Sequence, residues 1–117
     1  LGMPRFARLV IAQGLRGVEK TRADWVVRLI ADQDPALMIA AWRAAMAFDS
    51  RRRLGEIACP TLVVAGADDH AVPFHHAQML HDGIRRSQLV VIDHADHALI
   101  WMRPGELARV VDEFLGA

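Results

Sequence analysis

The stretch that decides the fold is Cys59-Pro60-Thr61-Leu62-Val63-Val64-Ala65-Gly66-Ala67-Asp68-Asp69-His70-Ala71-Val72-Pro73. Thr61 to Ala65 is a short apolar run with β-branched residues and no helical period, so it predicts a strand that ends in an acidic turn. A run apolar at nearly every position suits a parallel sheet covered on both faces. Downstream, Gln88 to Ile92 has the same character and leads into Asp93-His94-Ala95-Asp96-His97. Between the two strands, Pro73 is expected to open a helix that runs to about Asp82, with Gly83 as its C-terminal cap. After them, Pro104 opens a last helix whose Leu107, Val110, Val111, Phe114 and Leu115 share one face. Strand, helix, strand, helix implies a right-handed crossover and an α/β fold class with two parallel strands. Such a pair leaves at least one apolar edge that needs a neighbour.

The half before this stretch reads as helical. Met3, Phe6, Leu9, Val10 and Ala12 recur near helical spacing, and Gly14 and Gly17 fray the end of that element. A second helix is expected from Thr21, with Asp24 completing a capping box, burying Trp25, Val26, Leu29 and Ile30. In a third, Asp34 caps, Pro35 takes the first position, and Leu37, Met38, Ala41, Trp42, Ala45 and Met46 form one apolar stripe. Asp49 to Gly55 is polar and basic and reads as a connector. The chain therefore divides into residues 1–53, helices plus connector, and residues 54–117, the strand-bearing unit.

A length of 117 residues fits one domain, and hydrophobic residues at 53% with charged residues at 24% argue for a globular chain over a disordered one. Net charge is zero, which gives no electrostatic case for nucleic acid or an anionic membrane surface. Arg51-Arg52-Arg53 is the only basic run and reads as a solvated face. The apolar runs are shorter than the ~20 residues a membrane span needs. Cys59 is the single cysteine, so no internal disulfide can form, which favours a reducing compartment and a cytoplasmic location. The sequence begins at Leu1 rather than a methionine, as a piece of a longer chain would.

Catalytic groups of open parallel sheets gather beyond the C-terminal ends of the strands. Asp69 follows the first strand and His97 the second, so neighbouring strands would deliver a carboxylate and an imidazole to one rim. A carboxylate that accepts the ring N–H fixes the tautomer, and the other ring nitrogen can then take and return a proton. Asp68 is the rival for the acid role. The bland reading of both aspartates is that they begin a turn, a common use of the residue. For His97 it is a loop histidine bonded to the backbone.

Gly66, Asp69 and Pro73, and then His97 and Pro104, stand at the spacings of the acid and histidine segments of α/β-hydrolase-fold enzymes, and Pro60-Thr61 leads into the strand as it does there. The match runs from about Leu54 to Leu115, and the chain resembles the C-terminal portion of that family. The helices of residues 1–53 look like the remnant of its variable cap. The turn before the histidine usually carries glycines in the family, whereas this chain has His94, Ala95 and Asp96, and Asp96 stands where it would compete for the His97 ring. The resemblance implies a cofactor-free hydrolase of a carboxylic ester or lactone, in which Asp69 orients His97 and His97 serves a serine nucleophile.

In that family the nucleophile precedes the acid along the chain. Ser50 in the connector and Ser87 before the second strand both lack a glycine-flanked strand-to-helix elbow. Cys59 begins a strand, at the end opposite the site, and is expected to be a buried structural thiol. The nucleophile is therefore expected in a missing N-terminal half, and the chain by itself is expected to be inactive. Branches with an aspartate nucleophile (epoxide hydrolases and dehalogenases), cofactor-free haloperoxidases and carbon–carbon bond hydrolases share the same remnants. A non-catalytic module that associates with itself through its exposed strand edge is the alternative of another class.

Trp42, Met46 and Phe48 are the candidates for substrate contact, implying a small apolar ester-like substrate, although a stripe at helical spacing is more often core. His70, beside the acid, is a further candidate. No metal site is expected: His75 and His76 should diverge on a helix, His94 and His97 lie on a loop, and no set with a structural zinc spacing surrounds them.

Overall fold

The computed structural model describes residues 2–116. Three helices come first: α1 (Met3–Gly14), α2 (Lys20–Ala31) and α3 (Pro35–Ala47). A short 3-10 turn, Arg51–Glu56, leads to β1 (Thr61–Gly66), α4 (His75–Gly83), β2 (Ser87–Ile92), α5 (Leu99–Met102) and α6 (Pro104–Leu115). β1 and β2 pair in parallel, in register from Thr61 opposite Ser87 to Gly66 opposite Ile92. The crossover helix α4 packs on both strands and on the 3-10 turn, and α6 packs on β2. Around this sheet lie the buried side chains Leu54, Val63, Ala65, Ile84, Ile92, Ala95, Ala98 and Val110.

Local chemistry accounts for the helix ends, with two corrections. Asp34 Oδ1 accepts the Ala36 N–H at 2.7 Å and Pro35 takes the first position of α3, as expected. In α2 the cap is Glu19, whose carboxylate accepts the Thr21 N–H at 2.9 Å, and not Thr21. Asp24 pairs instead with Lys20 one turn earlier, so no capping box forms. Gly83 ends α4 as its last residue, and the capping position belongs to Ile84 with an extended backbone. The glycine is there for packing: a Cβ on Gly83 would stand 2.6 Å from Leu54 Cδ1 and 2.8 Å from Leu54 Cβ. That contact makes the 3-10 turn part of the sheet's packing, where the sequence suggested only a polar connector. α5 was not anticipated, because four residues between a histidine and a proline carry too little periodicity to read.

The burial expected for the second and third helices does not form. No described residue of α2 or α3 is buried, and Trp25, Leu29 and Leu37 are exposed. The strands also fall short of cover on both faces, with Val91 exposed and only Val63, Ala65 and Gly66 buried in β1. Two strands and their helices supply too few neighbours to cover these faces. The radius of gyration is 16.3 Å, against about 13 Å for a compact chain of this length. Accessible surface is 8505 Å2, where a compact monomer would expose about 6,300 Å2. Among the described residues, no helix is long and apolar enough to cross a membrane.

Candidate active site

Parallel pairing sends both strands out of the same sheet edge, and the turns that follow them meet there. The Ala67 N–H bonds the Ile92 carbonyl at 3.0 Å, and the Asp68 N–H bonds the Ala95 carbonyl at 3.0 Å. Gly66 permits that approach, since any Cβ would fall 2.3 Å from the Ala95 carbonyl oxygen. His94 takes a positive φ of 53°, turning the second loop back over the end of β1. A left-handed residue is the job of the glycines more usual in such a turn, and histidine is among the side chains that tolerate it.

On this rim, Asp69 Oδ2 lies 3.0 Å from His97 Nδ1. The other oxygen, Oδ1, accepts the N–H groups of Ala71 at 2.9 Å and Val72 at 2.8 Å, so the carboxylate is held by its own turn with one oxygen left to face the ring. With the proton on Nδ1, the ring donates to Asp69 and Nε2 is left as a basic lone pair. The His97 side chain is about half exposed, and that of Asp69 is nearly covered. Of the adjacent aspartates, Asp69 is the one whose carboxylate reaches the histidine. The end of α1 borders the ring: a Cβ on Gly14 would lie 3.9 Å from His97 Cδ2 and 3.8 Å from Ala71 Cβ.

A second pair crosses the first. Asp96 is only 4% exposed. Its Oδ1 accepts the His97 N–H at 2.7 Å and the His70 N–H at 3.1 Å, and its Oδ2 lies 3.3 Å from His70 Nδ1. Burial pushes this carboxyl up, but the hydrogen bonds from His97 and His70 outweigh burial and hold it below the ordinary carboxylate range. The Asp96 N–H meets Met102 Sδ at 3.4 Å, which ties the loop to α5. The first loop carries Asp69-His70 and the second carries Asp93-His94 and Asp96-His97, and of these Asp69 and Asp96 each serve a histidine of the other loop. Asp96 does not compete with Asp69 for the His97 ring, because it takes the backbone N–H of that residue instead. The repeated dipeptide at the two strand ends was the signal available for this pair.

The other candidate residues stand as follows. His70 directs its ring nitrogen at Asp96. Trp42 lines an apolar groove of about 350 Å3 between α1 and α3, with Met3, Phe6, Pro35, Met38, Ile39 and Arg43. Met3 and Phe6 lie in the first half of α1, and at 1.5 Å per residue Phe6 is about 12 Å along the helix from Gly14, so the groove and the histidine lie toward opposite ends of α1. Met46 and Phe48 are 72% and 76% exposed and do not line that groove. Cys59 is exposed rather than buried, since it lies ahead of β1 where little packs on it. Ser87 Oγ is engaged with the Ile84 and His81 carbonyls at 2.7 and 3.0 Å and with His81 Nδ1 at 2.8 Å, at the far end of β2. The rings of His75 and His76 do not diverge but lie tilted with centroids 4.1 Å apart. Among the described residues, no group of three or more His, Cys, Asp or Glu side chains is arranged to hold a metal ion.

Known proteins share this arrangement of elements. Residues 28–116 match the family described as TAP-like protein. The chain is 29% identical over 106 residues to a putative carbamate hydrolase RutD of Azorhizobium caulinodans, covering 91% of this chain and 39% of the relative. It is 37% identical over 79 residues to a 2-hydroxy-6-oxo-6-phenylhexa-2,4-dienoate hydrolase of Comamonas testosteroni, covering 67% of this chain and 28% of that one. A thermophilic esterase from Thermogutta terrifontis superposes with a TM-score of 0.79 at 26% identity, over 98% of this chain and 44% of the esterase. The chain therefore spans less than half the length of each of these proteins. With its family match and its parallel strand pair, the chain belongs to the α/β-hydrolase fold family.

Proposed function

We propose that Asp69 and His97 are the acid and the base of a hydrolytic site acting on a carboxylic ester or lactone. The observation that carries this reading is the 3.0 Å approach of His97 Nδ1 to Asp69 Oδ2 beyond the ends of two adjacent parallel strands. Asp69 holds the ring in the tautomer whose Nε2 accepts a proton. Nε2 takes that proton from a serine hydroxyl as it attacks the acyl carbon, and then gives it to the departing alcohol oxygen. In the second half-reaction it activates a water in the same way, and the carboxylic acid is released.

In this reading the serine and the donors for the developing oxyanion come from residues outside this chain, and the chain by itself does not turn over an ester. The apolar surface of α2 and α3 and the free sheet edge are covered by that remaining part of the fold. Trp42, Met46, Phe48 and His70 are the residues proposed to contact a small apolar substrate. The Trp42 groove, toward the other end of α1 from His97, offers an apolar surface for a part of it remote from the reacting carbonyl. A carbamate is the second substrate class, favoured by the name of the Azorhizobium relative, and it calls on the same proton transfers.

Two measurements test the proposal. An ester and carbamate panel is run on the 117-residue chain and on a form completed by the rest of the fold, each with and without His97→Ala. Hydrolysis by the completed form alone, lost in the variant, supports the reading; hydrolysis unchanged by His97→Ala sinks it. Labelling by a fluorophosphonate probe separates a serine nucleophile from an aspartate.

A further inference from the structure

We propose that Asp96 is a positioning residue of this site, clamping the two rim loops so that His97 is held against Asp69. The proposal rests on the reading of Asp69 and His97 as the working pair and adds how that pair is kept in place. Asp96 is the one polar or charged residue among the buried side chains described here. It lies at the crossing of the two loops, where one oxygen binds the backbone of both histidines and the other faces the His70 ring. A buried carboxylate left without donors is costly, so the loops are drawn to the arrangement that supplies them.

The geometry links this clamp directly to the ring. The 2.7 Å bond from the His97 N–H fixes the backbone atom next to the Cα that bears the imidazole. The bond from the His70 N–H fixes the residue that follows Asp69. One carboxylate therefore sets both sides of the Asp69–His97 contact without touching the reacting nitrogen. Met102 Sδ and the close approach of Gly66 to Ala95 hold the same loop from two other directions, which leaves the carboxylate to fix the turn itself. In the glycine-bearing turns that this sequence departs from, no side chain is available for such a clamp.

The test is nuclear magnetic resonance of the chain completed by the rest of the fold, read at the His97 imidazole Nδ1–H and at backbone amide exchange. Wild type should show a downfield Nδ1–H signal from His97 that disappears in Asp69→Asn. Its absence in wild type would overturn the Asp69–His97 reading itself, and this proposal with it. Asp96→Ala should broaden or remove that signal and speed exchange of the His97 N–H about tenfold or more. The amides that bond across β1 and β2 should keep their protection. A sharp, unchanged signal in Asp96→Ala would overturn the clamp while leaving the working pair standing. Loss of sheet protection along with the signal would make Asp96 a residue of the fold rather than of the ring, and would also overturn it. If Asp96→Ala does not fold, Asp96→Asn decides. It retains one neutral acceptor, so His97 exchange should fall between wild type and a fully lost bond, and exchange equal to wild type counts against the clamp.

Discussion

Gly66 and Ala95 approach so closely that a Cβ on the glycine would stand 2.3 Å from the Ala95 carbonyl oxygen and 2.9 Å from its carbonyl carbon. The residue at the end of β1 thus has to be bare for the loop after β2 to fold over it. That loop carries Asp96 and His97, so one missing methyl group lets an acid and a histidine from different strands share a rim. Gly66→Ala forces backbone apart rather than a flexible side chain. It should destabilise the chain by about 1–3 kcal/mol or more, read as a lower urea midpoint, with loss of the His97–Asp69 contact.

The pairing of Asp69 with His97 predicts unequal effects at the adjacent aspartates. In a catalytically complete form, Asp69→Asn should lower kcat by about 10^4, because the amide no longer selects the productive tautomer. Asp68→Asn should leave turnover near wild type, since Asp68 contributes a backbone N–H to the rim rather than its carboxylate. Equal losses in the two variants would assign the acid role wrongly.

Asp96 predicts a dependence of stability on pH. Its folded carboxyl lies below the ordinary value because hydrogen bonds from His97 and His70 outweigh burial. The unfolded chain therefore binds that proton more readily. Stability from this group is fully present above the unfolded value near pH 4 and is lost as pH falls through the lower folded value. Urea midpoints taken downward from about pH 6 should decline through that acid limb. Asp96→Asn should start lower and decline less steeply.

Gly83 and Leu54 predict a coupled pair. Gly83→Ala places a methyl group within 2.8 Å of Leu54 Cβ and should cost about 1–3 kcal/mol. Leu54→Ala removes a buried side chain and should cost about 2–4 kcal/mol. The double variant should lose somewhat less than the two together, because truncation removes the 2.6 Å contact with Leu54 Cδ1, while the 2.8 Å contact with the retained Cβ keeps part of the cost. Additive losses from chemical denaturation would rule out the contact as the reason for the glycine.

Trp42 is 62% exposed, so Trp42→Ala should change thermal stability little. If its groove receives the apolar part of a substrate, KM in a complete form should rise while kcat stays near wild type. Unchanged KM would remove the groove from the site.

The sequence alone determined the parallel strand pair, the final helix and the two residues that meet at the rim. Each of those rests on local pattern: apolar β-branched runs, a proline at a helix start, and polar residues just past a strand's end. Parallel pairing then leaves no choice about which ends meet, and the spacing shared with α/β-hydrolase-fold enzymes puts Asp69 and His97 there.

Only the tertiary structure decided the rest. Whether Trp25, Trp42 or Cys59 is buried depends on what packs against it, and an apolar stripe reads the same in either case. Spacing favoured Asp69 over Asp68, but the physical reason lay in the fold: the Ala71 and Val72 N–H groups hold one oxygen of Asp69 and leave the other facing the ring. The reason for Gly83 lay in Leu54, on a segment far away along the chain. Asp96 looked like a competitor for His97 because sequence gives neighbours along the chain but not the direction of a side chain. Folded, that side chain turns back to the backbone of its own histidine and to the ring of His70, and a rival becomes a clamp.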